Sequence, residues 1–462
     1  MPLRRPLSAL DRTFLAGETR ESMMHVGVLA PFSPPAGPPR DLLRSLVEEL
    51  KRETKAYPPW TLKLRHPELL ASPLQAWVED DDLDVEYHVR RSALPSPGDE
   101  RELGILVSRL HSNKIDFHRP PWEVHFIEGL EGGRFAIYFK VHHALVDGFT
   151  GMRLLTRSLS TEPDDLDTPL FFARPPQERR KAEEHAEPTL DHLITLLRDQ
   201  LGASRDVGRA TMNLVRSARS KEHLLVTPLQ APLSVLNRKI SRNRRFATQR
   251  FDAERLRRAA RAHGGTLNDA VLALTAAALR RFLLEQDALP REPLTTMVPV
   301  NIRAKGDTTG GGNEVGAILA SLATDVADPR ERMRAIVAST KRGKEQLQGM
   351  SKSALMQYAA LLLAPMLLSL IPGAAGRVRP AFNVVISNVP GPTKPLYFRG
   401  ARLEAIYPLS IPFHGYGLNI TVSGYDGELD FGFTGCRDTV PHLQRLAVYA
   451  GDALTELEAA ML

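Results

Sequence analysis

The feature that most constrains this chain is a predicted strand, Arg134–Val141, that runs directly into the sequence HHALVDG. The strand is predicted from its β-branched and aromatic residues and from the apolar side chains at every second position. His142 and His143 follow it, and Asp147 and Gly148 come after three further residues. Because side chains alternate along a strand, His143 continues the apolar face and His142 the opposite one. We therefore expect a strand that ends in a turn and presents two imidazoles in different directions.

This arrangement favours acid–base chemistry over metal binding. Two neighbouring histidines that point apart cannot easily hold one metal ion, which argues against a zinc site. A desolvated imidazole held by a fixed hydrogen bond is a good general base near neutral pH, and a carboxylate beyond the turn could hold its tautomer or the loop. The alternative is an ordinary core histidine beside an Asp-Gly turn. The spacing of all four residues favours a catalytic His143.

The spacing HHxxxDG resembles the signature of the CoA-dependent acyltransferase superfamily, which includes chloramphenicol acetyltransferases, plant BAHD acyltransferases and condensation domains of peptide synthetases. Four other segments are similar to motifs of the bacterial wax ester synthase/diacylglycerol acyltransferases. These segments are Pro6–Phe14, Pro121–Glu123, Leu267–Asp269 and Asn388–Pro392. The resemblance extends over nearly the whole chain.

The resemblance implies an α/β fold with α+β layering, built from two chloramphenicol-acetyltransferase-like subdomains with a channel between them. We expect an N-terminal subdomain at 1–160, a linker with connecting helices at 161–244 and a C-terminal subdomain at 245–462. A chain of 462 residues exceeds the usual size of a single core, which also predicts two domains.

The resemblance also implies roles for the motif residues. His143 is the expected general base, and His142 supports the turn and the strand register. Asp147 is expected to orient the loop through an ion pair, with Arg303 as a candidate partner. Gly148 lets the backbone leave the strand.

Asn268 is the candidate for oxyanion stabilisation. Thr266 is a predicted helix cap, so Asn268 falls in the first helical turn, where a side-chain amide and free N–H groups present positive ends. Asparagine and aspartate are equally ordinary residues at a helix start, and only the resemblance favours function for Asn268. Asp269 is expected to be structural.

The remaining candidates would bind substrate. Arg303 and Asn313 flank a glycine-rich stretch that is similar to a cofactor-side loop of BAHD enzymes. In a family that accepts long acyl chains, the small residues Ala359 and Ala360 of a predicted apolar helix would leave room for a tunnel. Ser387 and Asn388 lie where a predicted strand runs into a tight Pro-Gly turn.

Composition limits the cellular setting. The single cysteine, Cys436, rules out an internal disulfide and fits a reducing cytoplasm. The start of the sequence has no apolar stretch behind its arginines, so we expect no signal peptide. The longest apolar run, Tyr358–Pro372, is too short for a transmembrane helix. The interpretation is a cytoplasmic protein that can associate peripherally with membranes or lipid inclusions, because its implied substrates are apolar.

Charge allows anionic partners without selecting one. The net charge is +6, and basic residues recur in a predicted helix at 205–219 and at 238–245. They could bind CoA phosphates or anionic lipid, or form a solvated surface. No zinc-finger, RNP-type or basic-zipper pattern is present, so nucleic acid is not an expected partner.

The expected activity is transfer of a long acyl group from acyl-CoA to a fatty alcohol, to diacylglycerol, or to both, with no permanently bound cofactor and no covalent enzyme intermediate. The chain has no GxSxG, Walker, HExxH or GxGxxG motif, and Cys436 has no motif around it to make it a nucleophile. Two alternatives stay open: a condensation-type acyltransferase that takes its donor from a carrier protein, and a non-catalytic lipid-surface protein with the same fold.

Overall fold

The computed structural model describes residues 4–35, 37, 41–53, 55–175, 231–301, 315–348, 358 and 379–460. Most of the predicted linker, 161–244, lies outside these ranges, as does the predicted helix at 205–219. The apolar run Tyr358–Pro372 is described only at Tyr358. The domain boundaries therefore stay a prediction.

The described residues form an α/β fold, as expected. The helices are α1 (Ala9–Gly17), α2 (Leu42–Glu53), α3 (Val85–His88), α4 (Glu100–His111), α5 (Gly148–Thr156), α6 (Ala253–Ala262), α7 (Leu267–Leu284), α8 (Pro329–Gln348) and α9 (Gln444–Ala459). The strands are β1 (Arg4–Pro6), β2 (His25–Ser33), β3 (Leu62–Leu64), β4 (Ala76–Glu79), β5 (Val89–Ala93), β6 (Trp122–Glu128), β7 (Phe135–His142), β8 (Arg244–Asp252), β9 (Thr295–Asn301), β10 (Val315–Ser321), β11 (Val384–Val389), β12 (Tyr397–Phe398), β13 (Ala401–Leu403), β14 (Tyr407–Leu409), β15 (Leu418–Tyr425) and β16 (Glu428–Cys436).

Two large sheets organise these elements. The first has the order β12-β13-β2-β7-β6-β5, with β14 also paired to β2. The second has the order β10-β9-β11-β15-β16-β8, and its buried core includes side chains of α6, α7, α8 and α9. A small sheet, β1-β4-β3, lies beside the first.

The predicted strand before HHxxxDG is the inner strand β7, buried along its whole length. The expected alternation is confirmed. Phe139 and its apolar neighbours at every second position pack into the core around Trp60 and Trp122, whereas Tyr138 packs on the other face beside α4. Trp122 is fully buried and its indole N–H donates to Trp60 O at 2.8 Å, so it anchors this core.

The two sheets are joined by a segment that returns from the second half to the first. After β11 the chain forms β12, β13 and β14, which extend the first sheet by pairing with one another and with β2. The buried Asp430 of β16 accepts the N–H of Ile406 at 2.7 Å, and the hydroxyl of Tyr425 donates to Leu403 O at 3.0 Å. Side chains of the second sheet therefore hold residues 397–409, the crossing segment, in place.

Most predicted elements agree with the structure to within a few residues, and the capping boxes of α1 and α7 are both present. The strand-like run Ala401–Tyr407 predicts one strand, and this prediction is wrong, because the chain forms two short strands there, β13 and β14, which both pair with β2. Six strands were not predicted: β1, β3, β4, β5, β10 and β12. The first four are three to five residues long, and none of these four carries a strong apolar alternation.

The crossing segment predicts a requirement for glycine at position 432. A Cβ built on Gly432 would lie 1.8 Å from Pro408 O of β14. We expect Gly432→Ala to lower the free energy of unfolding by about 1–3 kcal/mol, because main-chain atoms cannot move aside as a flexible side chain can. Urea denaturation measures this. The control is Gly424→Ala in β15, where the nearest atom would lie 3.7 Å away. Equal stability of the two variants would contradict the expected steric conflict.

Candidate active site

The HHxxxDG motif lies where β7 ends. The N–H of His143 donates to Met24 O at 2.9 Å, just before β2 begins. Asp147 is the N-cap of α5. Its carboxylate accepts the N–H of Thr150 at 2.8 Å and the Thr150 hydroxyl at 3.0 Å. The motif is thus a strand end, a short turn and a capped helix start, which fixes the backbone on both sides of His143.

The side chain of His143 is held between an aromatic ring and a cavity. The Phe14 ring stacks on the imidazole with a centroid separation of 4.0 Å. Among the described residues, the buried Nδ1 has no hydrogen-bond partner. Burial lowers the pKa of His143 to about 4, although Asp147 acts in the opposite direction. The imidazole is therefore neutral at physiological pH.

His142 is buried against Phe117 and Glu18, whereas His143 contacts Phe14 and the cavity, so the two rings have different surroundings. Nδ1 of His142 accepts the N–H of Ala144 at 3.2 Å, which leaves the ring proton on Nε2 in the neutral form. That Nε2 lies 3.6 Å from a carboxylate oxygen of Glu18. His142 thus supports the turn from behind.

A cavity of about 550 Å³ opens on His143. Asp147, Trp60 and Phe171 contribute to its wall, which combines apolar side chains with arginines. The arginines are Arg5, Arg153, Arg157 and Arg174. The carboxylates of Asp11 and Asp147 also line the wall. The base therefore faces a cavity in which four arginines outnumber two aspartates.

The Asn388–Pro392 motif approaches the same region from the second half. A second cavity of about 280 Å³ lies between α5 and the turn Pro390–Pro392, and Arg153 lines both cavities. A Cβ on Gly391 would lie 1.9 Å from Gly424 O, which explains the glycine in this turn. Ser387 and Asn388 occupy the end of β11, half-buried and paired with β15.

Within the segment Leu267–Asp269, Asp269 has a structural role. The Asp269 carboxylate accepts hydrogen bonds from the N–H of Thr266 at 2.7 Å and from the Thr340 hydroxyl at 2.6 Å. Asn268 is half-buried in the first turn of α7 and is not part of the wall of the His143 cavity. The described residues thus do not bring Asn268 to His143, and its oxyanion role stays a prediction.

Four predicted residues lie outside the described ranges: Arg303, Asn313, Ala359 and Ala360. The suggested pairing of Asp147 with Arg303 is therefore untested, and the Asp147 carboxylate is engaged by Thr150 in any case.

Several residues around the base were not predicted. Glu18 and Met24 belong to a loop with no local pattern, and only the three-dimensional structure brings them to the motif. Arg153 in α5 and Arg157 at its C-cap lie four residues apart, and this helical spacing behind HHxxxDG was a signal that could have identified them.

The described ranges contain neither a membrane-spanning helix nor a metal-binding cluster. No helix there is long and apolar enough to cross a membrane. No group of three or more histidine, cysteine, aspartate or glutamate side chains there could hold a metal ion.

Comparison with known proteins agrees with this fold. Residues 7–271 match the model of the wax ester synthase/diacylglycerol acyltransferase catalytic domain, and residues 311–458 match the C-terminal domain of the same enzymes. A solved wax ester synthase/diacylglycerol acyltransferase from Marinobacter aquaeolei VT8 is 40% identical, with a TM-score of 0.80 and 99% of both chains covered.

Two curated relatives extend the comparison. A Mycobacterium tuberculosis protein, named a putative diacylglycerol O-acyltransferase, is 50% identical over 99% of this chain and 97% of its own. The O-acyltransferase WSD of Acinetobacter baylyi is 37% identical over 99% of this chain and 98% of its own.

The α/β fold with its two large sheets, and the histidine of the HHxxxDG turn that faces a cavity, are those of an acyltransferase. The chain belongs to the wax ester synthase/diacylglycerol acyltransferase family and is an O-acyltransferase.

The burial of His143 predicts the pH dependence of activity. If the neutral imidazole accepts a proton, kcat/KM stays level from about pH 8 down to about pH 5 and falls as pH drops through about 4, where His143 is protonated. Initial rates over this range measure it. Samples returned to pH 7 before assay control for acid denaturation. A reversible fall centred near the ordinary histidine value of about 6.5 would contradict the desolvated base.

Proposed function

We propose that this protein transfers a long-chain acyl group from acyl-CoA to the hydroxyl of a fatty alcohol, of diacylglycerol, or of both. The observation that carries the proposal is the neutral His143 imidazole, stacked on Phe14 and open to a cavity lined by apolar groups and arginines. The names of the relatives, which include wax ester synthase and diacylglycerol acyltransferase, support this substrate class.

The chemistry requires one base and no covalent enzyme intermediate. Nδ1 is buried, so we assign the accepting lone pair to Nε2, with the proton on Nδ1. Nε2 takes the proton of the acceptor hydroxyl as its oxygen attacks the thioester carbonyl. The tetrahedral intermediate then collapses, the C–S bond breaks, and the imidazolium returns the proton to the CoA thiolate. The products are an ester and free CoA.

The negative charge of the intermediate needs a donor. Asn268 remains our candidate, through its side-chain amide or the free N–H groups of the first turn of α7, and removal of such a donor typically costs about 3 kcal/mol of barrier. Arg303, Asn313, Ala359 and Ala360 remain proposed substrate-binding residues on the basis of the resemblance. Ser387 and Asn388 are supported further by the position of their turn beside α5.

The arginines of the cavity indicate which substrate enters there. Alcohols and diacylglycerols carry no charge, whereas CoA carries phosphates. Arg153 lies on α5 and Arg157 at its C-cap, after the motif, and with Arg5 and Arg174 they outnumber the two aspartates of the wall, which is therefore a positive wall. Long-range attraction of this kind favours an anionic ligand. We therefore assign the phosphate-bearing part of acyl-CoA to this cavity.

Two other functions are less well supported. A carrier-protein-dependent acyltransferase is less well supported because this chain aligns over nearly its full length with relatives that are named wax ester synthase or diacylglycerol acyltransferase. A non-catalytic lipid-surface protein has no need of a desolvated histidine facing a cavity. Peripheral contact with membranes or lipid inclusions fits the apolar substrates and is compatible with catalysis.

Thiol release from palmitoyl-CoA tests the proposed activity. The purified protein should release free CoA when hexadecanol or dipalmitoylglycerol is present, with matching ester formation, and far more slowly with neither. The relative rates with the two acceptors identify the preferred one. If no thiol is released with either acceptor, the proposal is wrong.

The positive wall predicts a change in KM that is specific to one substrate. Replacement of both Arg153 and Arg157 by alanine should raise KM for palmitoyl-CoA by about tenfold and leave KM for hexadecanol nearly unchanged, because only the donor is anionic. Steady-state kinetics at low salt measures this, and high salt should reduce the difference. Arg258→Ala, on α6, is the control for loss of surface charge. Equal changes in both KM values would contradict the assignment.

A further inference from the structure

Glu18 is an acidic residue buried beside the catalytic turn. It directly follows α1 and its side chain is only 2% exposed. No pattern in the sequence marks it, and it lies outside HHxxxDG. An ionised carboxylate in such a position costs free energy of folding unless its oxygens have polar partners.

Both carboxylate oxygens have polar neighbours. Oε2 accepts the N–H of Met24 at 2.5 Å and lies 3.6 Å from Nε2 of His142. Oε1 lies 3.6 Å from Nζ of Lys114. Nδ1 of His142 already accepts the N–H of Ala144, so the Nε2 proton faces Glu18. The carboxylate therefore favours one tautomer and one orientation of His142.

The same carboxylate acts on His143 through the main chain. Glu18 holds the N–H of Met24, and the carbonyl of Met24 accepts the N–H of His143 at 2.9 Å. Phe14, one turn earlier in α1, stacks on the His143 ring. The segment 14–24 thus contacts both histidines of the motif, one through a side chain and the other through the backbone.

The second half of the chain anchors this loop. The buried Arg244 donates to Glu21 O and Pro412 O, and the Ser22 hydroxyl accepts the N–H of His414 at 3.1 Å. Glu18 is therefore attached to a loop that is fixed from outside the first sheet. A side chain so placed can set the position of the motif relative to both halves.

We propose that Glu18 is a positioning residue for the catalytic base: it orients His142 directly and places His143 through the Met24 main chain. The inference rests on the proposed acyl transfer. Glu18 touches neither substrate nor reacting atoms, so its removal should slow turnover and leave substrate binding almost unchanged. A displacement of about 1 Å at a reacting group can cost about 100-fold in rate.

Three variants test the proposal. Glu18→Ala should lower kcat by about 100-fold with KM for palmitoyl-CoA within about threefold of the wild type. Glu18→Gln keeps an oxygen for the N–H of Met24 and for Nε2 of His142, so it should retain kcat within about tenfold. Glu21→Ala removes a carboxylate from the same loop but leaves the Arg244 contact, which uses the Glu21 carbonyl, and should behave as the wild type.

A second measurement does not depend on turnover. Two-bond 1H–15N spectra of histidine-labelled protein, assigned with His142→Gln, report which ring nitrogen of His142 carries the proton. We expect Nε2–H in the wild type and in Glu18→Gln, and a changed or mixed tautomer in Glu18→Ala. Failure of the acyl transfer itself would leave this measurement intact, which separates the two proposals.

Any of three results would overturn the inference. The first is a Glu18→Ala variant that keeps kcat within about threefold, or loses it only in proportion to its folded fraction measured by thermal melting. The second is an unchanged His142 tautomer in that variant. A Glu18→Gln variant as slow as Glu18→Ala would also contradict positioning, since it would show that the charge itself is required.

Discussion

The main-chain hydrogen bond from His143 to Met24 determines much of what this site can do. It marks the point where β7 leaves the sheet, with its last ladder pair at His142 and His25. Beyond it the backbone turns through Ala144–Val146 into α5, which Asp147 caps. Because both ends of this turn are fixed, the His143 ring can remain against Phe14 with little water around it. Desolvation then keeps the base neutral, which is the state in which it can accept a proton.

The site also depends on how the two sheets are joined. The strands β12, β13 and β14 belong to the second half of the sequence but pair within the first sheet. Their connection to β16 includes the buried carboxylate of Asp430, whose pKa burial raises to about 7, although the N–H of Ile406 and the nearby Arg250 act in the opposite direction. The turn Pro390–Pro392, just before these strands, thereby reaches α5. Residues far apart in sequence thus form one wall beside the base.

Local chemistry explains what the sequence could predict. Apolar alternation identified β7 and the different surroundings of His142 and His143. The capping residue Thr266 located the start of α7. Non-local pairing explains what it could not. The crossing of β13 and β14 into the first sheet has no signal in the segment itself. Glu18 is equally silent in sequence, because its role comes from a loop folded behind the motif. Asn268 shows the limit of a motif, since a helix start predicts its local geometry and not its distance from His143.

The central claim is that His143 is the base, and kcat of the His143→Gln variant with palmitoyl-CoA and hexadecanol tests it most directly. Glutamine keeps a polar side chain of similar length but cannot accept and return the proton. The account predicts a loss of about 100- to 10,000-fold in kcat, the usual contribution of a general base, with an unchanged melting temperature. His118→Gln, at an exposed position, should retain full activity. Turnover by folded His143→Gln within a few-fold of the wild type would contradict the mechanism.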